Sequence, residues 1–183
     1  MSISISYKNS FSKKNSPNLV LFVDEKFNIS GLKKHIQSTE YRFISDLIKT
    51  KDTKKKILIF DLNSKKKITL VSFKNNISSS GVENLGAKFY ELIKNNTQTD
   101  YIVNSDTVSI KLNNLIGHFM HGLKLKSYLF EKYKTKKTKK NISIFVTGKN
   151  KPSLKDQIKF KSIEDGTFYT RDLVSEPGNV LHP

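Results

Sequence analysis

The sequence predicts an α/β fold, a mixed sheet flanked by helices on both faces. Two observations carry this. Strand-like apolar runs fill the first part of the chain and then alternate with amphipathic helical segments, the pattern of a sheet covered by helices. The run Leu19–Val23 is apolar without a break, which suits a strand buried on both faces. A length of 183 residues, 36% of them hydrophobic, fits one domain with a real core.

Each element follows from local pattern. Ile3, Ile5 and Tyr7 alternate with serines over Ser2–Tyr7, a half-buried strand. Asn9–Pro17 is rich in serine, asparagine and lysine and reads as a loop. Asn18–Asp24 is the buried strand, and Asn28–Ser38 is irregular, broken at Gly31. Tyr41–Ile48 suits either a short helix or a strand. Lys56–Leu62 and Lys67–Phe73 read as two strands joined through Asn63-Ser64 as a hairpin.

Ser80–Asn95 is a helix, with Val82, Leu85, Gly86, Phe89, Tyr90 and Ile93 on one face. Ser80 and Glu83 have the spacing of a capping box. Tyr101–Val103 is a short strand, and Ile110–Lys132 a longer helix. Asn141–Thr147 is a strand. Leu154–Val174 is helical, with Ile163, Thr167, Thr170 and Val174 continuing one face. The lysine runs at 54–56, 65–67 and 132–140 fall at element ends, where cations suit helix C-termini.

Composition excludes several functions. No cysteine means no disulfide, no zinc–thiolate site and no thiol catalysis. No apolar run approaches the ~20 residues that cross a bilayer, and the alternating start is unlike a secretory signal. A cytoplasmic protein without a membrane partner is expected. The net charge of +17 invites a nucleic-acid reading, but all of the basic residues except Arg42 and Arg171 are lysines. Geometrically specific phosphate recognition favours the arginine fork. Abundant lysine, isoleucine and asparagine fit an AT-rich coding bias, so weak, salt-sensitive, non-specific nucleic-acid binding is all that the charge implies.

Candidate chemistry is sparse. His118 and His121 sit three apart on one helix face, yet no carboxylate lies at i±4 and no third ligand is evident. They read as polar helix residues beside a packing surface. Ser78-Ser79-Ser80-Gly81 opens a helix and could meet an anion, but capping accounts for the serines. Asp24-Glu25 and Glu164-Asp165 are sequence neighbours and make poor acid/base pairs. The eight glycines form no phosphate-binding loop, and no G-x-S-x-G is present. Catalytic residues: none. Metal-binding residues: none. Cofactor-binding residues: none.

Two segments carry a family resemblance. One runs from Gly122-Leu123 through Tyr128, Phe130 and Tyr133-Lys134. The other is Gly166 to Pro183, with Arg171-Asp172-Leu173, Glu176-Pro177 and Asn179. Together they resemble the leucyl (cytosol) aminopeptidase family, and Glu83 to Gly86-Ala87 resembles its earlier helix. The likeness covers roughly residues 55–183. It departs at Ser175, where asparagine is usual, at His182, where threonine is common, and at His121, where glutamate often precedes the glycine.

The resemblance implies the family's amino-terminal, macro-domain-like unit. Residues 1–150 would form that domain, 151–175 the interdomain linking helix, and 176–183 the start of the catalytic domain. The parent would be a metallo-aminopeptidase releasing N-terminal residues from peptides. Its two divalent metals, manganese or zinc, would sit in the catalytic domain, whose Asn-Thr-Asp-Ala-Glu-Gly-Arg-Leu signature this chain lacks. The expected partners are the chain's own catalytic domain and a homo-hexamer, with this chain alone inactive. A stand-alone macro-like module taking an ADP-ribose-like ligand and a basic nucleic-acid-binding domain are the alternatives.

Without the family, Pro177 still stops a helix, and Gly178-Asn179 favours a turn. Arg171 near that helix end suits the dipole and Asp172 does not. Asp172 therefore either has a partner, for instance in another domain, or lies on the surface.

Overall fold

The unbroken apolar run becomes β2 (Asn18–Asp24), near the middle of a six-stranded sheet. A computed structural model describes residues 2–8, 18–64, 66–108, 112–135, 140–178 and 180. The predicted loop at 9–17 and the end at 181–183 lie outside them. β1 (Ser2–Tyr7), β3 (Ile57–Asp61), β4 (Lys67–Phe73), β5 (Asp100–Asn104) and β6 (Asn141–Thr147) complete the sheet. The spatial order is β1-β6-β5-β2-β4-β3. Only β3 and β4 pair antiparallel, as the predicted hairpin requires; the other neighbours are parallel.

Leu19–Val23 of β2 are all apolar because both faces of the strand are covered. Val20 and Phe22 enter one core with α2 (Ser79–Ile93) and α3 (Leu115–Lys126). Leu21 and Val23 enter a second core on the opposite face, with α1 (Ser38–Ile48) and the 3₁₀ turn Ser30–Lys34. The first core centres on aromatic rings. Phe22 stacks on Phe73 at 5.4 Å, and Phe119 meets both edge-on. Tyr41–Ile48 resolves as helix because its 3–4 spacing places Ile44 inward, fully buried. The Gln37 N–H donates to Glu40 Oε2 at 3.1 Å and anchors its first turn.

Three expectations change. The N-cap of α2 is Ser78, not Ser80: its Oγ accepts from the Gly81 N–H at 3.2 Å. Glu83 is not free for a capping box because it turns to His118. The helix expected over Ile110–Lys132 is shorter. Asn114 precedes it in the left-handed region, φ 53°, which a helix cannot continue through. At the other end the Ser127 hydroxyl donates to Lys124 O at 2.7 Å and closes the last turn. Residues 110–111 of that expectation lie outside the described set.

The third change concerns the last helix, α4 (Leu154–Ser175). Its inward face is Phe160, Glu164, Phe168 and Arg171, not Ile163, Thr167, Thr170 and Val174. Ile163 and Val174 are exposed, and the two threonine hydroxyls return to Ile163 O and Gly166 O. The helical period was right and its phase was one residue off. The Lys140 ammonium donates to Lys94 O at 2.8 Å and to Asn96 O, at the end of α2, where a cation suits the helix dipole.

Candidate functional site

Of the polar residues singled out in the sequence, His118, His121 and Glu164 lie on the two seams of α3, against α2 and against α4. The α2 seam is built on two glycines. A Cβ on Gly86 would lie 2.0 Å from Phe119 O, and one on Gly122 would lie 1.9 Å from Glu83 O. The helix backbones therefore touch directly, which explains the glycines at 86 and 122. Glu83, freed from capping, hydrogen-bonds His118 Nδ1 at 2.8 Å.

The α4 seam uses side chains. Phe160 fills the notch left by Gly117, whose missing Cβ would lie 2.4 Å from the ring. His118 and His121 flank that ring, each with its centroid 5.2 Å away. His121 Nδ1 hydrogen-bonds Glu164 Oε1 at 2.9 Å, and both residues are buried. A buried carboxylate left without a partner is costly, so this pair fixes the rotation of α4. Tyr7 of β1 lies close by. Burial, helped by the Glu164 charge, pushes its hydroxyl up to about 12.

The histidines are therefore committed to carboxylates from two other helices, which inspection at i±4 could not find. Among the described residues, no group of three or more histidine, aspartate or glutamate side chains is placed to hold a metal ion. Asp165 pairs with Lys161 on the surface, so Glu164 and Asp165 do not act together. Asp24 is used locally, its Oδ1 accepting from the Lys26 and Asn28 N–H groups.

Farther along the seam, the two resembling segments meet. The Tyr128 hydroxyl donates to Asp172 Oδ1 at 2.7 Å. Arg171 Nη1 donates to Leu125 O at 2.7 Å, with its guanidinium 5.5 Å from the Tyr128 ring centre. Asp172, unfavourable for the helix dipole, thus has its partner inside this chain. Lys132 and Tyr133 both donate to Glu176, just past the end of α4. The Lys132 ammonium, then the Tyr133 hydroxyl, hold the Glu176 carboxyl below the usual glutamate range. Val180 N–H bonds Pro177 O at 2.9 Å, the turn that proline and glycine predicted.

The crest beyond β2 and β5, where strand order reverses, is the other place an α/β sheet binds ligands. Here Thr107 bridges it. Its hydroxyl accepts from the Phe22 N–H at 2.8 Å and donates to Asn104 O at 2.9 Å.

Part of this arrangement is shared with known proteins. No protein-family model matches the chain. A probable cytosol aminopeptidase of Rickettsia bellii aligns over 204 positions at 25% identity, covering 92% of this chain and 37% of that protein. One from Phytoplasma australiense is 42% identical over 69 residues, 36% of this chain and 14% of that protein. The chain is similar to part of the cytosol aminopeptidases. The resemblance read from its two segments is thus borne out. In fold, a tomato leucine aminopeptidase variant superposes with TM-score 0.73 at 16% identity, covering all of this chain (100%) and 40% of that one. The bottromycin maturation enzyme BotP in complex with Mn gives TM-score 0.62 at 10% identity over 92% of this chain and 34% of its own. The chain therefore spans less than half the length of these cytosol aminopeptidase relatives. Among the described residues, no helix is long and apolar enough to cross a membrane.

Proposed function

We propose that this chain is the amino-terminal, non-catalytic domain of a two-metal leucyl aminopeptidase, serving packing and assembly. The observation that carries the reading is the interlock of the two resembling segments: Tyr128 with Asp172, and Lys132 and Tyr133 with Glu176. These residues spend their chemistry on holding α4 against α3. In this reading residues 1–150 are the packing domain, 151–175 the helix leading out of it, and 176–183 the start of the catalytic part. The parent releases N-terminal residues from peptides in the cytoplasm as a homo-hexamer.

Two divalent ions, manganese or zinc, would polarise the peptide carbonyl and supply a hydroxide in that parent. The described residues of this chain do not fit such a centre, since His118 and His121 each engage a different carboxylate. No step of the reaction is assigned to them.

The test compares two purified proteins, residues 1–183 alone and the same residues joined to their downstream sequence. With manganese or zinc and a leucine amide, the short chain is expected to give no turnover. The long one should give turnover and sediment as a hexamer. Turnover by the short chain, or none by the long one, overturns the reading.

A further inference from the structure

Lys124 stands in the last turns of α3, half-buried. Its ammonium donates to Ile3 O of β1 at 2.6 Å. That contact uses one of the three N–H groups a lysine carries. Lys124 also lines a groove of about 480 Å³ between β1, α3 and α4. Ile5, Met120 and Ile158 give the groove apolar walls. A lysine in such a place is partly stripped of water without being closed off from small molecules.

The titratable groups around it are Tyr7 of β1, His121 of α3, and Lys161, Glu164 and Asp165 of α4. Both carboxylates are committed elsewhere, Glu164 to His121 and Asp165 to Lys161. Burial therefore outweighs them and pushes the Lys124 ammonium below the ordinary lysine range; the Glu164 and Asp165 charges work against that shift and Lys161 works with it. Lys94, Lys132 and Lys161 go the other way, each raised chiefly by its hydrogen bond to a carboxylate. An amine that gives up its proton more readily than its neighbours is the better nucleophile near neutrality. Once neutral, Lys124 can keep an N–H on Ile3 O while its lone pair turns to the groove.

We infer that Lys124 is an acylation site, taking a short acyl group from a small acyl phosphate and lodging it in the groove between β1, α3 and α4. The neutral Nζ attacks the acyl carbon, so an N–C bond forms. The C–O bond to phosphate breaks, and the amine proton leaves with the departing phosphate. Nothing is oxidised or reduced. The product amide retains one N–H for Ile3 O, so the tie to β1 survives while the charge facing Glu164 and Asp165 is lost. This inference does not rest on the peptidase reading, and its readout is mass, not turnover.

The test treats the folded 183-residue protein with acetyl phosphate near neutral pH and stops at low total modification. Remaining amines are then saturated with isotopically heavy acetic anhydride in denaturant, and mass spectrometry gives the light fraction at each lysine. Lys124 should react at least about threefold faster than the median lysine. Its rate should level off at lower pH than the others as pH rises, which mere accessibility would not produce. In urea the preference should vanish. Ile5→Glu, which sets another carboxylate in the groove, should hold the ammonium charged and slow Lys124 alone; if that variant unfolds, Ile158→Glu on the opposite wall gives the same answer. A Lys124 rate at or below the median overturns the proposal. So does a preference that persists in urea, or a pH profile parallel to that of the other lysines.

Discussion

Helices α2 and α4 lean on the same helix in opposite ways. The α2–α3 seam is backbone against backbone at Gly86 and Gly122, with apolar side chains packed around it. The α3–α4 seam is a row of side-chain locks: Phe160 in the Gly117 notch, His121 with Glu164, Tyr128 with Asp172, and Glu176 with Lys132 and Tyr133. The first seam belongs to the core and tolerates no added atom. The second leaves Ile163, Tyr169 and Val174 in solvent, the last two 66% and 80% exposed. So α4 is held by polar locks on one side and presents apolar residues to solvent on the other.

The sharpest way to break the comparison is to put a methyl group into the first seam. Gly122→Ala would set a carbon 1.9 Å from Glu83 O, and backbone on both sides leaves nothing to give way. We expect a loss of about 3 kcal/mol or more in urea unfolding, with fluorescence and circular dichroism falling together. Phe160→Ala tests the second seam. Its ring is half-buried, so the loss should be about 2 kcal/mol. The change should appear first as faster proteolysis within α4, while the sheet amides keep their protection. Equal damage to sheet and helix would mean that α4 is part of the core after all.

Legibility followed the same division. The strands, the hairpin and the inward face of α2 could be read because apolar spacing alone determines them. Val82, Leu85, Phe89 and Ile93 are buried as their spacing predicts. The phase of α4 could not be read, because its inward face is Phe160, Glu164, Phe168 and Arg171, half of it charged. A hydropathy pattern discards charged residues, and the partners of these, His121 and the Leu125 carbonyl, are more than 40 positions away. The histidines were equally opaque, since Glu83 and Glu164 come from different helices. One signal was available. Gly117, Gly122 and Gly86 sit inside helices, where glycine is costly unless something must approach closely.

A smaller effect separates hydrogen bonding from charge in the second seam. The Tyr128 hydroxyl needs only an acceptor, and an amide oxygen supplies one. Asp172→Asn should therefore leave stability within about 0.5 kcal/mol, while Asp172→Ala should cost about 1 kcal/mol. If the two variants lose equally, charge rather than the hydrogen bond holds the contact, and the neighbouring Arg171 is its source.

The smallest expected effect is a pH dependence at the end of α4. Glu176 is held below the ordinary glutamate range by the Lys132 ammonium and then the Tyr133 hydroxyl. A carboxyl depressed in the folded state binds fewer protons there than when unfolded, so its contribution is complete above the unfolded value. It fades as pH falls through the folded value. Lys132 is raised in turn, chiefly by Glu176, and its share is lost only as pH rises through its own folded value, well above neutrality. The clamp should therefore hold across neutral pH and open on acidification. Amide exchange of residues 172–176, followed from neutral pH downward, should accelerate once the Glu176 carboxyl titrates. Glu176→Gln should remove that step and leave the Phe160 notch unaffected. An acid step that persists in Glu176→Gln would show that the clamp at Glu176 is not its source.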